Sequence, residues 1–190
     1  MNTHDADPIA VLEHEHVFIK KVIDALNGLA GDAKRAQKAD PETLKEIVRF
    51  MREFADRCHH AKEEDLLFPA MEEKGVPDTG CPLGALRREH KQGRALVGEL
   101  ENATQSLAGG EAGAGDALVD ATAKITALYT NHIWKEDEMV FPMAARLFSD
   151  AERKDLAARF EKAEAEIGAD HEALADFANR LAGEATAGTG

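Results

Sequence analysis

Apolar residues recur along this chain at steps of three and four, the repeat of helices that bury one face. The first run is Ile9, Leu12, His16, Ile19, Ile23 and Leu26, an apolar seam with a histidine set into it. Asp7 before Pro8 supplies a cap and a first helical position, and Asp40-Pro41 restarts a helix in the same way. The second run takes Leu44, Ile47, Val48, Met51, Phe54 and Ala55 into Cys58-His59-His60 and is expected to end near Phe68-Pro69. Two glycines and two prolines in residues 72–83 mark a loop. A third run holds Leu83, Leu86, His90, Gly93, Val97 and Leu100, and the glycines of residues 109–115 break it. The fourth starts near Asp116 and passes through Leu118, Ile125, Tyr129, His132, Glu136 and Val140 to Phe141-Pro142 and a little beyond. Ser149 and Glu152 form a capping box for a fifth run of Leu156, Phe160, Ala163, Ile167, Leu174, Phe177 and Leu181.

No stretch alternates with period two, so the pattern predicts an all-α fold. It is an up-down four-helix bundle over residues 8–147, built of hairpins at about 8–72 and 82–147. A fifth helix over residues 149–182 packs on it, and residues 183–190 form a flexible tail.

Composition narrows the classes of function. The chain has 36 acidic and 23 basic residues among 190, a net charge of −13, which disfavours nucleic acid and anionic membrane as partners. No apolar run is long enough to span a bilayer, and the first residues lack the basic start and apolar core of a signal peptide. A cytoplasmic location is expected. Two cysteines make no disulfide framework; Cys58 reads as a buried inert thiol and Cys81 as an exposed free one. Eight histidines are the unusual count.

Aligning the chain on itself explains most of them. Residues 59–69 (HHAKEEDLLFP) match residues 132–142 (HIWKEDEMVFP), with five identities and four similar pairs among eleven positions. Upstream, Leu12-x-x-Glu15-His16 matches Leu86-x-x-Glu89-His90. The offset is 74 from His16 to His90 and 73 from both His59 to His132 and Glu63 to Glu136. Each half is thus a hairpin with one histidine on its first helix and His-x3-Glu on its second.

Residues four apart lie about 40° apart on a helix face, so each His-x3-Glu pair points one way. Four histidines and two carboxylates in apolar seams are poor packing unless something compensates their burial. Metal ions do so: imidazole and carboxylate suit iron and related transition metals, and this set fits a dinuclear better than a mononuclear site. Lys62 and Lys135 repeat as well and read as solvated rims. Phe68-Pro69 and Phe141-Pro142 read as pairs that close or bend their helices and plug the bundle end.

Register needs a choice, because His60-x3-Glu64 has the same spacing as His59-x3-Glu63. His59 projects with Val48, Ala55 and Leu66, whereas His60 projects with Arg49, Glu53 and Asp56 and matches Ile133 in the repeat. His59 is therefore preferred, with His60 a secondary ligand candidate. His14, about 160° round the helix from His16, and His4 read as surface residues. His171 lies on the seam of the fifth helix, where it either reaches the metals and their surroundings or packs in the core. Tyr129, one turn before His132, either donates a hydrogen bond into the site or packs beside it.

In these residues the chain resembles the hemerythrin-like, HHE cation-binding family. The matching elements are Glu15-His16, His59-x3-Glu63-Glu64 running into Leu67-Phe68-Pro69, Glu89-His90, and His132-x3-Glu136 running into Val140-Phe141-Pro142. The resemblance covers about residues 8–147. It implies two iron ions in a non-haem, oxo- or hydroxo-bridged di-iron centre, with His16 and His59 on one iron, His90 and His132 on the other, and Glu63 and Glu136 bridging. One departure stands out: oxygen-carrying members place a histidine four residues after the third-helix one, and here that residue is Arg94. Positions left open favour exchange with water, O2 or peroxide. The expected function is binding of O2, peroxide or a related small oxidant, for sensing or detoxification. Two alternatives are a catalase-like peroxide-decomposing enzyme assisted by Tyr129 or His171, and an iron-handling bundle.

Overall fold

The computed structural model describes residues 7–34, 39–80, 82–167 and 170–187. Six helices and no strand occur among them. Helix α1 is Pro8–Lys34; α2 runs over residues 41–73; α3 is Leu83–Ala108; α4 runs over residues 114–147. Two shorter helices follow, α5 (Asp150–Ile167) and α6 (Asp170–Ala187).

Local chemistry sets the helix starts. The Asp7 carboxylate accepts the Ile9 N–H at 2.9 Å. Asp40 accepts the Thr43 N–H at 3.1 Å and the Thr43 hydroxyl at 2.7 Å. Ser149 and Glu152 close the reciprocal capping box, with Glu152 accepting the Ser149 N–H at 2.9 Å.

Three expectations are corrected here. The predicted single fifth helix is two helices, and the second continues through Gly183 to Ala187, where a tail was expected. Residues 188–190, His4 and Cys81 lie outside the described residues. Phe68-Pro69 does not end its helix, since α2 continues to Glu73, whereas α4 runs a little past Phe141-Pro142 to Leu147, as expected. Each proline is accommodated by a widened turn just before it. Glu63–Leu67 and Glu136–Val140 wind as π-helix, with the Phe68 N–H donating to the Glu63 carbonyl and the Phe141 N–H to the Glu136 carbonyl. A proline ring collides with the carbonyl four residues back in an α-helix, and an i→i+5 turn gives it room. A third π segment, Met51–His60, runs into the first metal-type motif and includes its His59.

Helices α3 and α4 pack together, α1 packs on α4, and α2 packs on α3. The C-terminal pair lies over the seam between α1 and α2, with α6 against α1 and α5 across α1 and both π segments of α2. Two apolar clusters form the core. One contains Ile19, Leu26, Leu44, Phe50, Phe54, Leu100 and Ile125, and the other Leu12, Leu67, Phe68, Leu86, Val140 and Phe141. On every long helix the histidines and glutamates of the repeat fall between these clusters, as His16 does between Leu12 and Ile19. The bundle is therefore a polar layer held between two dry ones. No helix among the described residues is long and apolar enough to cross a membrane.

Leu44 is fully buried in the larger cluster, whereas Asp40 caps the same helix from the surface. Leu44→Ala should cost about 2–5 kcal/mol and Asp40→Ala distinctly less, by urea unfolding of the full chain.

Candidate metal centre

The structure brings His16, His59, Glu63, His90, His132 and Glu136 into one buried layer, each 3% exposed or less. The histidines face each other in two pairs, with His16 Nε2 3.0 Å from His59 Nε2 and His90 Nε2 3.1 Å from His132 Nε2. The glutamates lie between the pairs. Glu63 puts Oε1 3.7 Å from His59 Nε2 and Oε2 3.3 Å from His90 Nε2. Glu136 puts Oε2 3.2 Å from His16 Nε2 and Oε1 3.1 Å from His132 Nε2. Two overlapping donor sets result: His16 and His59 with both glutamates, and His90 and His132 with both glutamates.

The far side of each ring decides which nitrogen carries a proton. His16 Nδ1 meets Asp137 at 2.6 Å, His59 Nδ1 meets Glu15 at 2.9 Å, His90 Nδ1 meets Glu64 at 2.6 Å, and His132 Nδ1 meets Glu89 at 3.1 Å. A carboxylate only accepts, so each Nδ1 donates, and in the neutral ring each Nε2 is left with a lone pair aimed inward. The support crosses between halves. Glu15 and Glu89 hold histidines of their own hairpin, while Glu64 and Asp137 hold those of the other. A cation backs every one of these carboxylates: Lys62 on Glu15, Lys135 on Glu89, Arg94 on Glu64 at 3.0 Å, and Lys20 on Asp137 at 2.9 Å.

These four carboxylates were missed as functional residues in the sequence reading, although each neighbours a motif residue and repeats with it. Arg94 and Lys20 repeat too, each four residues after its helix's histidine. The residue that departs from the oxygen-carrying pattern is thus a cation bracing Glu64 and, at 2.7 Å, Asp56.

Both oxygens of Glu63 and of Glu136 are buried and receive no hydrogen bond among the described residues. The neighbouring imidazole nitrogens are near enough to feel their charge but not aligned to donate. Unpaired buried carboxylates are costly, and the same oxygens and lone pairs are what a transition-metal cation requires. The residues present fit a metal.

Without a metal, protons must supply the positive charge. Burial works against an imidazolium at His16, but Asp137 and Glu136 outweigh it and raise that histidine to about 9. Against the same burial, Glu136, Glu63 and Glu64 raise His90 to about 11, and Glu136 and Glu89 raise His132. Burial would raise Glu136, yet His132, His16 and His90 hold it well below the carboxylate range.

His60 departs from the expected outward face: it is buried, its ring stacked on His90 with centroids 4.0 Å apart and planes 18° apart. The π segment is the reason. The widened turn brings its ring into the layer while His60 Nδ1 still meets Asp56 at 3.4 Å. Nitrogens of His60, His90 and His132 lie within 4.8 Å of one another. Two rings bound to one ion must each contain it in their plane, so parallel stacking makes His60 a wall beside His90 in this arrangement. Burial and the imidazoles of His90, His59 and His132 push its pKa well down, keeping it neutral.

The Phe-Pro phenylalanines stack on the histidines, Phe141 on His16 at 5.4 Å and Phe68 on His90 at 6.0 Å. Tyr129 is buried with its ring 6.3 Å from that of His132. Its hydroxyl explains Gly93, where a Cβ would come within 3.2 Å of it. Lys62 is 1% exposed, not a solvated rim, because Glu164 pairs with it and Phe160 covers it. His171 reaches Glu15 at 3.0 Å rather than the inner nitrogens. His14 is exposed and Cys58 buried. A surface groove of about 460 Å³ between α1 and α4, lined by Lys20, Ile133, Trp134 and Asp137 among others, reaches the carboxylate that holds His16.

Comparison with known proteins fits this geometry. Residues 7–144 match the family model described as hemerythrin HHE cation binding domain. The chain is 28% identical over 158 residues to uncharacterized proteins of Mycobacterium tuberculosis (Rv1995) and Mycobacterium bovis (Mb2018). That alignment covers 80% of this chain and 59% of the length of those relatives. No solved structure matches significantly.

The metal-free pH dependence follows from the histidines. The folded-state pKa values of His16, His90 and His132 are raised above 6.5, so the stability they contribute is fully present below that pH. It is lost as pH rises through about 9 for His16 and about 11 for His90. Thermal unfolding of metal-free protein should therefore show a falling Tm from about pH 6.5 to about pH 10, a fall that metal loading suppresses.

Proposed function

Because the chain belongs to the hemerythrin HHE cation-binding family, we propose that its polar layer holds two iron ions and that the pair binds O2, peroxide or a related small oxidant. The observation that carries this reading is the set of four buried carboxylate oxygens without hydrogen bonds, facing four inward imidazole nitrogens. His16 and His59 would hold one ion, His90 and His132 the other, and Glu63 and Glu136 would be shared. The donors fall into two groups, each a histidine pair with both glutamates, which suits two ions sharing the carboxylates better than one ion bound by all six, and the buried carboxylates are costly to leave unpaired.

Iron suits a mixed imidazole and carboxylate set. When bound it would supply redox chemistry toward small oxygen species. Four protein donors per ion are fewer than octahedral coordination takes, which leaves room for such a species. The chain's own residues do the rest. Asp137, Glu15, Glu64 and Glu89 hold the four rings in the metal-binding tautomer. Phe68, Phe141 and the two apolar clusters exclude bulk water. The placement of donors on all four long helices ties metal uptake to folding of the whole bundle. A role in oxidant sensing or detoxification is consistent with a centre open to small molecules and closed to large ones.

Anaerobic reconstitution with ferrous iron followed by air is the direct test. About two iron per chain and new near-ultraviolet charge-transfer absorption are expected. Both should be lost in the His59→Ala, His132→Ala double variant. Fewer than one iron per chain in the parent protein would overturn the reading.

A further inference from the structure

The two halves of the polar layer match in their inward donors but differ in what stands behind them. Glu89, behind His132, pairs with Lys135 at a partly open surface: the two side chains are 19% and 34% exposed. Its counterpart Glu15, behind His59, is 3% exposed and is held by three donors. One oxygen accepts His59 Nδ1 at 2.9 Å; the other accepts Lys62 Nζ and, at 3.0 Å, His171 Nε2. Lys62 in turn pairs with Glu164. Both C-terminal helices therefore bear on one carboxylate, α5 through Glu164 and α6 through His171, and nothing equivalent bears on Glu89 among the described residues.

His171 is itself fixed. Its ring stacks on Phe54 with centroids 4.8 Å apart and planes 20° apart. The Cys58 thiol belongs to the same cluster. Donor atoms of Glu15, Cys58, Glu164 and His171 lie within 4.8 Å of one another, a spacing that would admit a cation. The Lys62 ammonium already bridges Glu15 and Glu164. The cluster is an occupied ion network, and its outlet toward the polar layer is Glu15.

We propose that His171 is a positioning residue for the metal at His16 and His59, acting through Glu15 on His59 Nδ1, so that the C-terminal helices are a working part of the centre and the two metal positions are inequivalent. This rests on the metal reading given above. The effect is one of orientation. A carboxylate with three donors in a dry site cannot rotate, so the ring it holds keeps its Nε2 aimed inward. Partners of this kind alter metal affinity about 10–100-fold. Lys62 remains on Glu15 when His171 is removed, so the low end of that range applies.

Cobalt(II) titration of the metal-free full chain, followed by the visible ligand-field bands, tests it. The parent protein is expected to show two binding steps. His171→Ala should weaken one of them about tenfold and leave the other within about twofold. His171→Gln, which keeps an N–H donor for Glu15, should recover most of the loss. Phe177→Ala is the structural control: Phe177 lies on α6 and packs toward Phe50, with ring centroids 6.4 Å apart, away from Glu15. It should lower Tm while leaving both steps in place. The inference is overturned if His171→Ala weakens both steps alike or neither, if Gln fails to rescue, or if Phe177→Ala reproduces the Ala effect. Absence of any cobalt uptake by the parent protein would instead overturn the metal reading on which the inference stands.

Discussion

Four imidazole lone pairs and four carboxylate oxygens point at one another in a layer from which water is excluded. That arrangement is repulsive unless positive charge lies within it, and the surrounding structure is organised by the repulsion. Inside, protons or metal ions neutralise the layer. Behind each imidazole stands a carboxylate, and behind each carboxylate a lysine or arginine, so charge alternates in sign from the core to the surface. Each group is stabilised by the next one out, which is how so many ionisable side chains can share one bundle. Removing a single member strands its neighbours.

The apolar clusters above and below supply what the network cannot. Polar contacts strengthen in a low-dielectric setting, and a dry layer on each side keeps water from competing for them. Phe68 and Phe141 join the two functions, because they belong to an apolar cluster and also stack on His90 and His16. The prolines after them belong to the same device. By favouring π turns at Glu63–Leu67 and Glu136–Val140, they set the helix register where the glutamates enter the layer.

The repeat in the chain is nearly a two-fold symmetry, and the departures are where the halves acquire different properties. Ile133 stands where His60 stands in the other half, so only the His90 side has an extra imidazole beside it. Cover by α5 and α6 buries Lys62, whereas its counterpart Lys135 stays partly exposed. A repeated hairpin with one face covered by the C-terminal helices keeps identical inward donors in distinct surroundings.

Helical periodicity was legible because each long helix buries one continuous stripe, and the six inward donors were legible because they repeat at nearly constant offset. His60 was misread because periodicity assumes 3.6 residues per turn, and π winding shifts the phase of everything after it. Lys62 was misread because its burial depends on Glu164 and Phe160, about a hundred residues away in the chain. His171 sat on a seam as expected, but the partners it meets, Glu15 and Phe54, lie on α1 and α2. Sequence by itself determined the helical bundle, the repeated His/Glu motif and a donor set suited to a metal cation, since these follow from residue type and local spacing. Only the tertiary structure decided which carboxylate orients which imidazole, and that the C-terminal helices press on Glu15. Those are contacts between helices, set by packing distances of a few ångströms that no spacing along the chain encodes.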